Sequence, residues 1–251
     1  MIQNTHMKII ALIPARYEST RFPGKLLKKI GEKSIICHVY DNMVATGLFD
    51  EVAVVCNHQI IYDELVSHGG KVFMSTTEHD NGTSRIAEIA AKLDFPLVFN
   101  VQGDEPFVHK DILSSLIDIF RNDVNGGIEI VSPMTEIWDD EMINNPNVVK
   151  VVTNIHQEAM YFSRSPIPYY RNRENPRSCY KHIGIYGFRK EALLKIVNLP
   201  ETPLDGSEMI ECIKYLEHGM KIKMALTRSQ GVSIDTPEDL EKAIDFYSKN
   251  G

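Results

Sequence analysis

The feature that most constrains the fold is an uninterrupted apolar run near the start of the chain, within Lys8-Ile-Ile-Ala-Leu-Ile-Pro14. Because this run does not alternate and is rich in β-branched residues, it predicts a strand buried on both faces of a parallel sheet. Glu51–Cys56 and Pro96–Val101 have the same character, and helical patterns separate the three runs. This alternation predicts an α/β fold with a doubly wound, mostly parallel sheet.

Further elements complete this first half of the chain. A short strand is predicted at Lys71–Met74. Helices are predicted at Ser34–Thr46, around Ile60–Ser67, at Ser84–Leu93 and at Asp111–Phe120.

From Gly126 onward the pattern changes to strands with few helices between them, which predicts a smaller mixed sheet. The expected strands are Ile128–Ser132, Val148–Thr153, Ala159–Ser163 and Ile183–Phe188, with an extended loop at Pro166–Arg177. The expected helices are Lys190–Val197, Glu208–His218 and Pro237–Ser248. We expect one domain over 7–248, with a nucleotide-binding part (7–125), an acceptor-binding and dimerisation part (126–232) and a closing helix (233–248).

Composition excludes several classes of partner and location. A formal net charge of −7 over 251 residues disfavours general binding to nucleic acid or to anionic membranes. The four cysteines form no CxxC pair, so neither a zinc site nor a disulfide framework is indicated. No run approaches the roughly 20 apolar residues of a membrane span. We therefore expect a cytoplasmic protein without nucleic-acid or membrane partners.

The loop after the first strand carries a concentration of positive charge. Within Pro14-Ala-Arg-Tyr-Glu-Ser-Thr-Arg-Phe-Pro-Gly-Lys25, the cations are Arg16, Arg21 and Lys25. The planar guanidinium of arginine can donate two hydrogen bonds to phosphate oxygens, and the ammonium group of lysine supplies a compact positive charge. Both groups suit the phosphates of a nucleoside triphosphate. The alternative is an ordinary solvated basic loop. Position at the first strand-to-helix connection of an α/β sheet favours the phosphate-binding interpretation.

Carboxylates follow another predicted buried strand, in Asn100-Val-Gln-Gly-Asp-Glu-Pro106. Asp104 suits Mg²⁺ bound against phosphate oxygens, because this cation prefers oxygen ligands. Asp235 is either a second ligand of the ion or simply the N-cap of the last helix, and the residues alone do not decide between the two. The segment His79–Arg85 could present amides, hydroxyls and a guanidinium to a ligand, but many turns have this composition.

Five ordered motifs together resemble the CMP-Kdo synthetases (3-deoxy-manno-octulosonate cytidylyltransferases) from about Lys8 to Ala243. They are Ile13-Pro-Ala-Arg-Tyr-Glu-Ser-Thr-Arg-Phe-Pro-Gly-Lys25, Val101-Gln-Gly-Asp-Glu-Pro106, Tyr161-Phe-Ser-Arg-Ser-Pro-Ile-Pro168, Lys181-His-Ile-Gly-Ile-Tyr186 and Asp235-Thr-Pro-Glu-Asp-Leu240. The resemblance implies a Rossmann-like nucleotidyltransferase fold. It also implies a cytoplasmic homodimer that transfers CMP from CTP to the anomeric 2-hydroxyl of Kdo, releases pyrophosphate and serves lipopolysaccharide synthesis.

The resemblance also implies roles for individual residues. Catalysis falls to Arg16, Lys25, Asp104 and Asp235, of which the two aspartates bind Mg²⁺. The implied nucleotide-binding residues are Pro14, Ala15, Arg16, Arg21, Lys25, Asn81, Gly82, Thr83 and Gln102. The implied sugar-acid-binding residues are Arg85, Gln102, Arg164, His182, Tyr186 and Glu211. Without the resemblance, we would interpret His182 and Tyr186 as residues of a buried strand whose polar atoms are hydrogen-bonded within the protein.

Three segments depart from the usual family pattern: Asn81–Arg85, Val55–Asn57 and Ile210–Lys214. The last has Cys212 where the family usually has glutamine, so one amide on the sugar side is missing. A lost hydrogen-bonding group can change discrimination between substrates. A Kdo analogue such as 8-amino-Kdo or another ulosonic acid therefore stays open as acceptor, and so does a nucleotide-binding regulatory module without catalysis.

Overall fold

The structure is a computed structural model that describes residues 7–18, 22–171, 178–229 and 233–250. Its strands are β1 (Ile9–Ala15), β2 (Lys29–Ile30), β3 (Lys33–Ser34), β4 (Glu51–Cys56), β5 (Val72–Met74), β6 (Leu97–Asn100), β7 (Ile130–Ile137), β8 (Lys150–Thr153), β9 (Ala159–Ser163), β10 (Cys179–His182), β11 (Tyr186–Arg189) and β12 (Ile222–Thr227). Its helices are α1 (Ile35–Thr46), α2 (Gln59–Ser67), α3 (Gly82–Ala90), α4 (Lys110–Asn122), α5 (Asp140–Asn144), α6 (Lys190–Ile196), α7 (Pro203–Glu208), α8 (Glu211–Glu217) and α9 (Pro237–Asn250).

The described residues form two compact units, one up to Lys110 together with those from 233 onward, and one over Asp111–Ser229. The predicted α/β fold is confirmed, with a parallel sheet in the first unit and a mixed sheet in the second. The single-domain interpretation and its internal boundaries stay predictions. Among the described residues, no helix combines the length and apolar character needed to cross a membrane.

The first unit is built on four parallel strands in the order β5-β4-β1-β6. The chain starts at β1, moves outward through β4 and β5, and then returns to β6 on the other side of β1. Every residue of β1 is buried, as the unbroken apolar run predicts. Because the direction of winding reverses between β1 and β6, their carboxyl ends lie side by side, where α/β sheets bind ligands.

The second unit is organised around β7, which pairs with three other strands. β10 and β11 run antiparallel to it along one edge, and β12 runs parallel to it along the other. β8 and β9 extend the sheet beyond β10. The sequence had not predicted β12 or α5, and the predicted strand at Ile128–Ser132 proves to be the longer β7.

The predicted strand at Ile183–Phe188 is confirmed only from Tyr186 onward, and its first half is wrong. Instead, β10 ends at His182 and β11 begins at Tyr186, and both pair with β7. The interruption lies opposite Ser132 and Pro133 of β7. Proline has no N–H to donate, so the ladder cannot run through this position on both sides. The N–H of Ile183 donates to the Pro133 carbonyl, and the chain turns before pairing again.

The predicted helix at Glu208–His218 is confirmed only from Glu211 onward, because it is interrupted at its start. α7 ends with Met209 in the left-handed region at φ 53°, and α8 begins at Glu211 after extended Ile210. A non-glycine residue rarely adopts this conformation, so residue types alone do not predict the break. The predicted loop at Pro166–Arg177 is described only to residue 171 and contains no helix or strand there.

Candidate active site

A pocket of about 330 Å³ lies at the carboxyl ends of β1 and β6 in the first unit. The reversal of winding places the loop that follows β1 beside the loop that follows β6. The residues that line it are Pro14, Arg16, Lys25, Leu26, His79, Asp80, Asn81, Gly82, Arg85, Gln102, Gly103, Asp104 and Asp235. All four residues to which catalysis was assigned therefore face one cavity.

The centre of the pocket is a lysine held between two carboxylates. Lys25 Nζ lies 2.6 Å from Asp104 Oδ2 and 3.3 Å from Asp235 Oδ1. The Lys25 side chain is only 11% exposed, so its charge needs nearby anions. Two carboxylates that bind the same ammonium nitrogen converge on one position.

Local hydrogen bonds explain how Asp235 reaches this position. The Ile234 N–H donates to the Asp104 carbonyl at 3.0 Å and fastens the C-terminal segment to the loop after β6. Thr236 Oγ1 accepts from the Asp239 N–H, and Asp239 Oδ2 accepts from the Thr236 N–H. This reciprocal pair is a capping box for α9. The cap is therefore Thr236, and the Asp235 carboxylate is directed to Lys25.

The two aspartates fit the coordination habits of Mg²⁺. This cation takes oxygen ligands and is commonly bound by one or two carboxylates together with substrate phosphates. In the part of the chain that the structure describes, no group of three or more His, Cys, Asp or Glu side chains forms a closed metal cage. Asp104 and Asp235 therefore match a site in which two carboxylates hold the ion and the substrate supplies further oxygen ligands.

Arg16 and Arg85 supply further positive charge. Arg85 is 5% exposed, and within the described residues its Nε has no hydrogen-bond partner. Burial lowers the pKa of Arg85, and repulsion from Arg16 lowers it further. Two guanidiniums at close quarters in a cleft suit an anionic ligand with several charged oxygens.

Two glycines allow close packing around Pro14 at the pocket wall. A Cβ on Gly103 would lie 2.9 Å from the Pro14 carbonyl oxygen, and one on Gly82 would lie 2.9 Å from Pro14 Cγ. Side chains cannot be accommodated at these distances without a shift of the backbone. Gly103 thus lines the pocket and also leaves room for the backbone at the end of β1.

The pocket contains most, but not all, of the residues predicted to bind the nucleotide. Ala15 and Thr83 are buried beside it: Ala15 pairs with Cys56 in the sheet, and Thr83 Oγ1 accepts from Asn100 Nδ2. Arg21 lies outside the described residues. Leu26 had not been predicted, although its position next to Lys25 was a signal. Arg85, which was predicted for the sugar acid, lines the same pocket as the nucleotide-binding residues.

In the second unit, His182 is buried between aromatic rings. Its ring centroid lies 4.9 Å from that of Phe162 and 5.4 Å from that of Tyr186. Its Nε2 lies 2.9 Å from Ser132 Oγ, which also donates to the Ile185 carbonyl at 2.8 Å. Because a hydroxyl has one hydrogen, His182 is the donor in the first contact, so Nε2 carries its proton. Burial lowers the pKa of His182 to about 3, which keeps the ring neutral.

Tyr186 and Cys212 are coupled through their side chains. The Tyr186 hydroxyl and the Cys212 thiol interact, and burial raises the pKa of both groups, that of the thiol to about 12. Cys212 is fully buried. The neighbouring Glu211 accepts from the Tyr215 hydroxyl at 2.7 Å. The departure at position 212 therefore acts on Tyr186, and the thiol itself is not presented to solvent.

Arg164 binds backbone carbonyls. Its Nε donates to Glu208 O at 2.7 Å, Nη2 to Met209 O at 3.1 Å and Nη1 to Pro146 O at 3.0 Å. The Glu208 carboxylate accepts from the Arg164 N–H at 2.9 Å and from Ser163 Oγ at 2.6 Å. Arg164 thus stabilises the turn between α7 and α8, and a contact from it to a sugar acid stays a prediction.

Comparison with known proteins decides the family. A family profile described as Cytidylyltransferase matches residues 10–222. A 3-deoxy-manno-octulosonate cytidylyltransferase of Flavobacterium johnsoniae is 51% identical over 237 residues, which cover 94% of this chain and 97% of that protein. The chain belongs to the 3-deoxy-manno-octulosonate cytidylyltransferase family.

Other relatives agree with this assignment. The enzyme of the same name from Christiangramia forsetii is 50% identical, with 94% of this chain and 95% of that protein covered. The structure of a CMP:2-keto-3-deoxy-manno-octonic acid synthetase complexed with CTP superposes with a TM-score of 0.92 at 34% identity, over 97% of this chain and 100% of that one. The family resemblance drawn from the five motifs is confirmed.

Proposed function

We propose that this chain transfers CMP from CTP to the anomeric 2-hydroxyl of Kdo and releases pyrophosphate, as an enzyme that activates the sugar for lipopolysaccharide synthesis. The observation that carries the proposal is the convergence of Asp104 and Asp235 on Lys25 in a pocket that also presents Arg16 and Arg85. The relatives named above are Kdo enzymes, so they do not favour the Kdo-analogue and inactive-module alternatives.

The pocket side chains have clear tasks in such a reaction. The 2-hydroxyl oxygen attacks the α-phosphorus in line and its proton passes to solvent, while the bond from the α-phosphorus to the oxygen that bridges the α- and β-phosphates breaks. Pyrophosphate leaves with the electron pair of that bond and the added negative charge. Arg16 and Lys25 bind and stabilise the departing phosphates, which is electrostatic catalysis by groups already in place. Arg85 adds a buried guanidinium to the same anionic ligand. Pro14, Asn81, Gly82 and Gln102 form the wall against which the nucleotide is oriented.

We also propose that the reaction depends on Mg²⁺ held by Asp104 and Asp235. When bound, the ion would offset the negative charge of the phosphate oxygens. To admit the ion, Lys25 would give up its two carboxylates, and the triphosphate would offer that ammonium group new anionic partners. The chain's own part is thus an exchange, in which Lys25 moves its hydrogen bonds from carboxylate to phosphate.

We further propose a cytoplasmic homodimer. Support comes from the family resemblance and from large apolar side chains that are exposed in the second unit. Ile155 is 93% exposed, Met160 on β9 is 63% exposed and Leu226 on β12 is 51% exposed. Light scattering from the purified chain tests this assembly, and a monomeric mass at working concentration would contradict it.

The direct test of activity is release of pyrophosphate with CTP, Mg²⁺ and Kdo. We expect turnover with CTP and Kdo, little with ATP or UTP, and loss of turnover with EDTA. Faster turnover of 8-amino-Kdo than of Kdo would assign the analogue as acceptor. CTP binding without any turnover on the acceptor panel would identify a regulatory module.

A further inference from the structure

Glu88 on α3 collects donors from one short segment of the first unit. Its carboxylate accepts from Ser75 Oγ at 2.7 Å, from Thr76 Oγ1 at 2.6 Å and from the Thr76 N–H at 3.2 Å. It also accepts from His79 Nε2 at 2.9 Å and from Thr77 Oγ1 at 3.3 Å. All of these donors belong to residues 75–79, which follow β5.

The surroundings make this carboxylate a firm anchor. The Glu88 side chain is only 12% exposed. Burial alone would raise its pKa, but hydrogen bonds from His79, Thr76 and Ser75 outweigh burial and hold the pKa of Glu88 well below its ordinary value. The group therefore stays charged in the folded protein, and charge-assisted hydrogen bonds are the stronger kind.

The segment that Glu88 holds runs directly into the pocket wall. His79, Asp80, Asn81 and Gly82 line the pocket. At the far end, Asn81 Oδ1 accepts from the Ser84 N–H at 2.8 Å and caps α3. Both ends of the segment are thus hydrogen-bonded to α3. Glu88 binds the start of the segment, and Asn81 at its end caps the helix.

The same helix also carries a pocket cation. Arg85, which lines the pocket, lies one turn before Glu88 on α3. Because residues three apart on a helix lie on neighbouring parts of its surface, movement of α3 would displace the guanidinium and the anchor together. Glu88 therefore fixes residues 75–81 relative to Arg85.

We propose that Glu88 is a positioning residue that preorganises residues 75–81, whose last three residues form part of the wall of the CTP pocket, although Glu88 does not itself line that pocket. This inference rests on the proposed function for the identity of the ligand. If this part of the wall is ordered before the nucleotide binds, binding loses less conformational entropy. Loss of the anchor should therefore weaken CTP binding and leave the chemical step at saturating CTP nearly unchanged.

The decisive variant is Glu88→Gln, which keeps the shape but presents an NH₂ group to hydroxyl and ring donors. We expect KM for CTP to rise roughly tenfold while kcat changes by less than about twofold, since only preorganisation is lost. Amide exchange over residues 75–81 should become faster, because the Thr76 N–H donates to this carboxylate. Lys92→Gln is the matched control: Lys92 Nζ donates to Glu88 Oε1 at 3.1 Å but is 59% exposed and lies outside the wall.

Each outcome is informative. An unchanged KM for CTP in a folded Glu88→Gln protein would overturn the proposal, and so would a fall in kcat with KM unchanged. If Glu88→Gln fails to fold, Thr76→Val removes one hydroxyl donor at an exposed residue and should still raise KM for CTP by roughly threefold. If the wild-type chain shows no turnover with CTP and Kdo, the proposed function fails, while amide exchange and direct CTP titration still test the anchor.

Discussion

Lys25 Nζ and Asp104 Oδ2 lie 2.6 Å apart, and the same ammonium group reaches Asp235 Oδ1 at 3.3 Å. The ammonium group therefore screens the two carboxylates from each other. Any ligand that draws Lys25 away leaves two converging negative charges, which attract a divalent cation. In the proposed function, this relationship would couple triphosphate binding to the proposed metal site through a single side chain.

Asp104→Asn and Asp235→Asn should each lower kcat by roughly 100-fold or more, because each removes one charged carboxylate of the proposed Mg²⁺ site without changing the shape of the side chain. Steady-state pyrophosphate release with a thermal melt for folding provides the measurement. Asp63→Asn on α2, where Asp63 accepts from Gln59 on the surface, is the control and should be neutral. Near-normal activity of either pocket variant at saturating Mg²⁺ would remove that residue from the metal site.

Lys25→Met should lower kcat more than it raises KM for CTP, because the contact with the leaving pyrophosphate strengthens as charge develops. It should also lower stability by about 1 kcal/mol, since the two aspartates lose their shared cation. Mg²⁺ added without CTP should then raise the melting temperature of Lys25→Met more than that of the wild type. An equal response of both proteins to Mg²⁺ would show that Lys25 does not compete with the ion.

Stability should fall as the solution is acidified, in part through His182. The unfolded ring has a pKa near 6.5, whereas the buried ring has a pKa of about 3. Between these values the unfolded chain binds a proton that the folded chain does not, so this contribution is full above pH 6.5 and is lost as pH falls toward 3. The slope from this group approaches about 1.4 kcal/mol per pH unit.

Urea unfolding between pH 7 and pH 5 provides the check on His182. In His182→Gln an amide replaces the titrating ring, so the dependence on pH should become shallower. His156→Gln, at an exposed position, is the control and should keep the wild-type slope. If both variants follow the wild type, His182 is not the group responsible.

Cys212→Ala should lower kcat/KM for Kdo by roughly fivefold, because the Tyr186 side chain loses the thiol with which it interacts. Cys212→Ser keeps a polar partner and should stay near wild type, and KM for CTP should not change in either. Cys212→Gln should destabilise the protein by about 1–3 kcal/mol, since the position is closed and a longer side chain overpacks it. Equal kcat/KM values for the Ala, Ser and wild-type proteins would mean that position 212 does not influence the acceptor.

The sequence predicted the first unit better than the second. Buried parallel strands such as β1 and β4 read as unbroken apolar runs, which residue types display directly. The break between β10 and β11 depends on Pro133 in a neighbouring strand, so the pattern of Ile183–Phe188 itself gives no sign of it. The turn at Met209 likewise depends on hydrogen bonds from Arg164, 45 positions away.

The candidate site shows the same contrast. Arg16, Lys25 and Asp104 follow strand ends, where ligands are expected from the topology alone. Asp235 was ambiguous until the structure assigned the cap to Thr236. Glu88 was missed because a glutamate within a helix usually indicates a solvated face. The three consecutive hydroxyl residues at 75–77 were the one hint in the sequence. They show that donors are present, but only the folded loop shows that these donors bind Glu88.

The Lys25–Asp104–Asp235 cluster has a consequence for how the protein is made. Lys25 is 79 positions from Asp104 and 210 positions from Asp235. During synthesis the first carboxylate therefore joins Lys25 well before the second. Contacts so distant along the chain form slowly, after local structure. A nascent chain can therefore assemble the strands of its first unit with a charge-balanced Lys25–Asp104 pair, and the excess negative charge that the proposed metal site needs is added only when Asp235 has been translated.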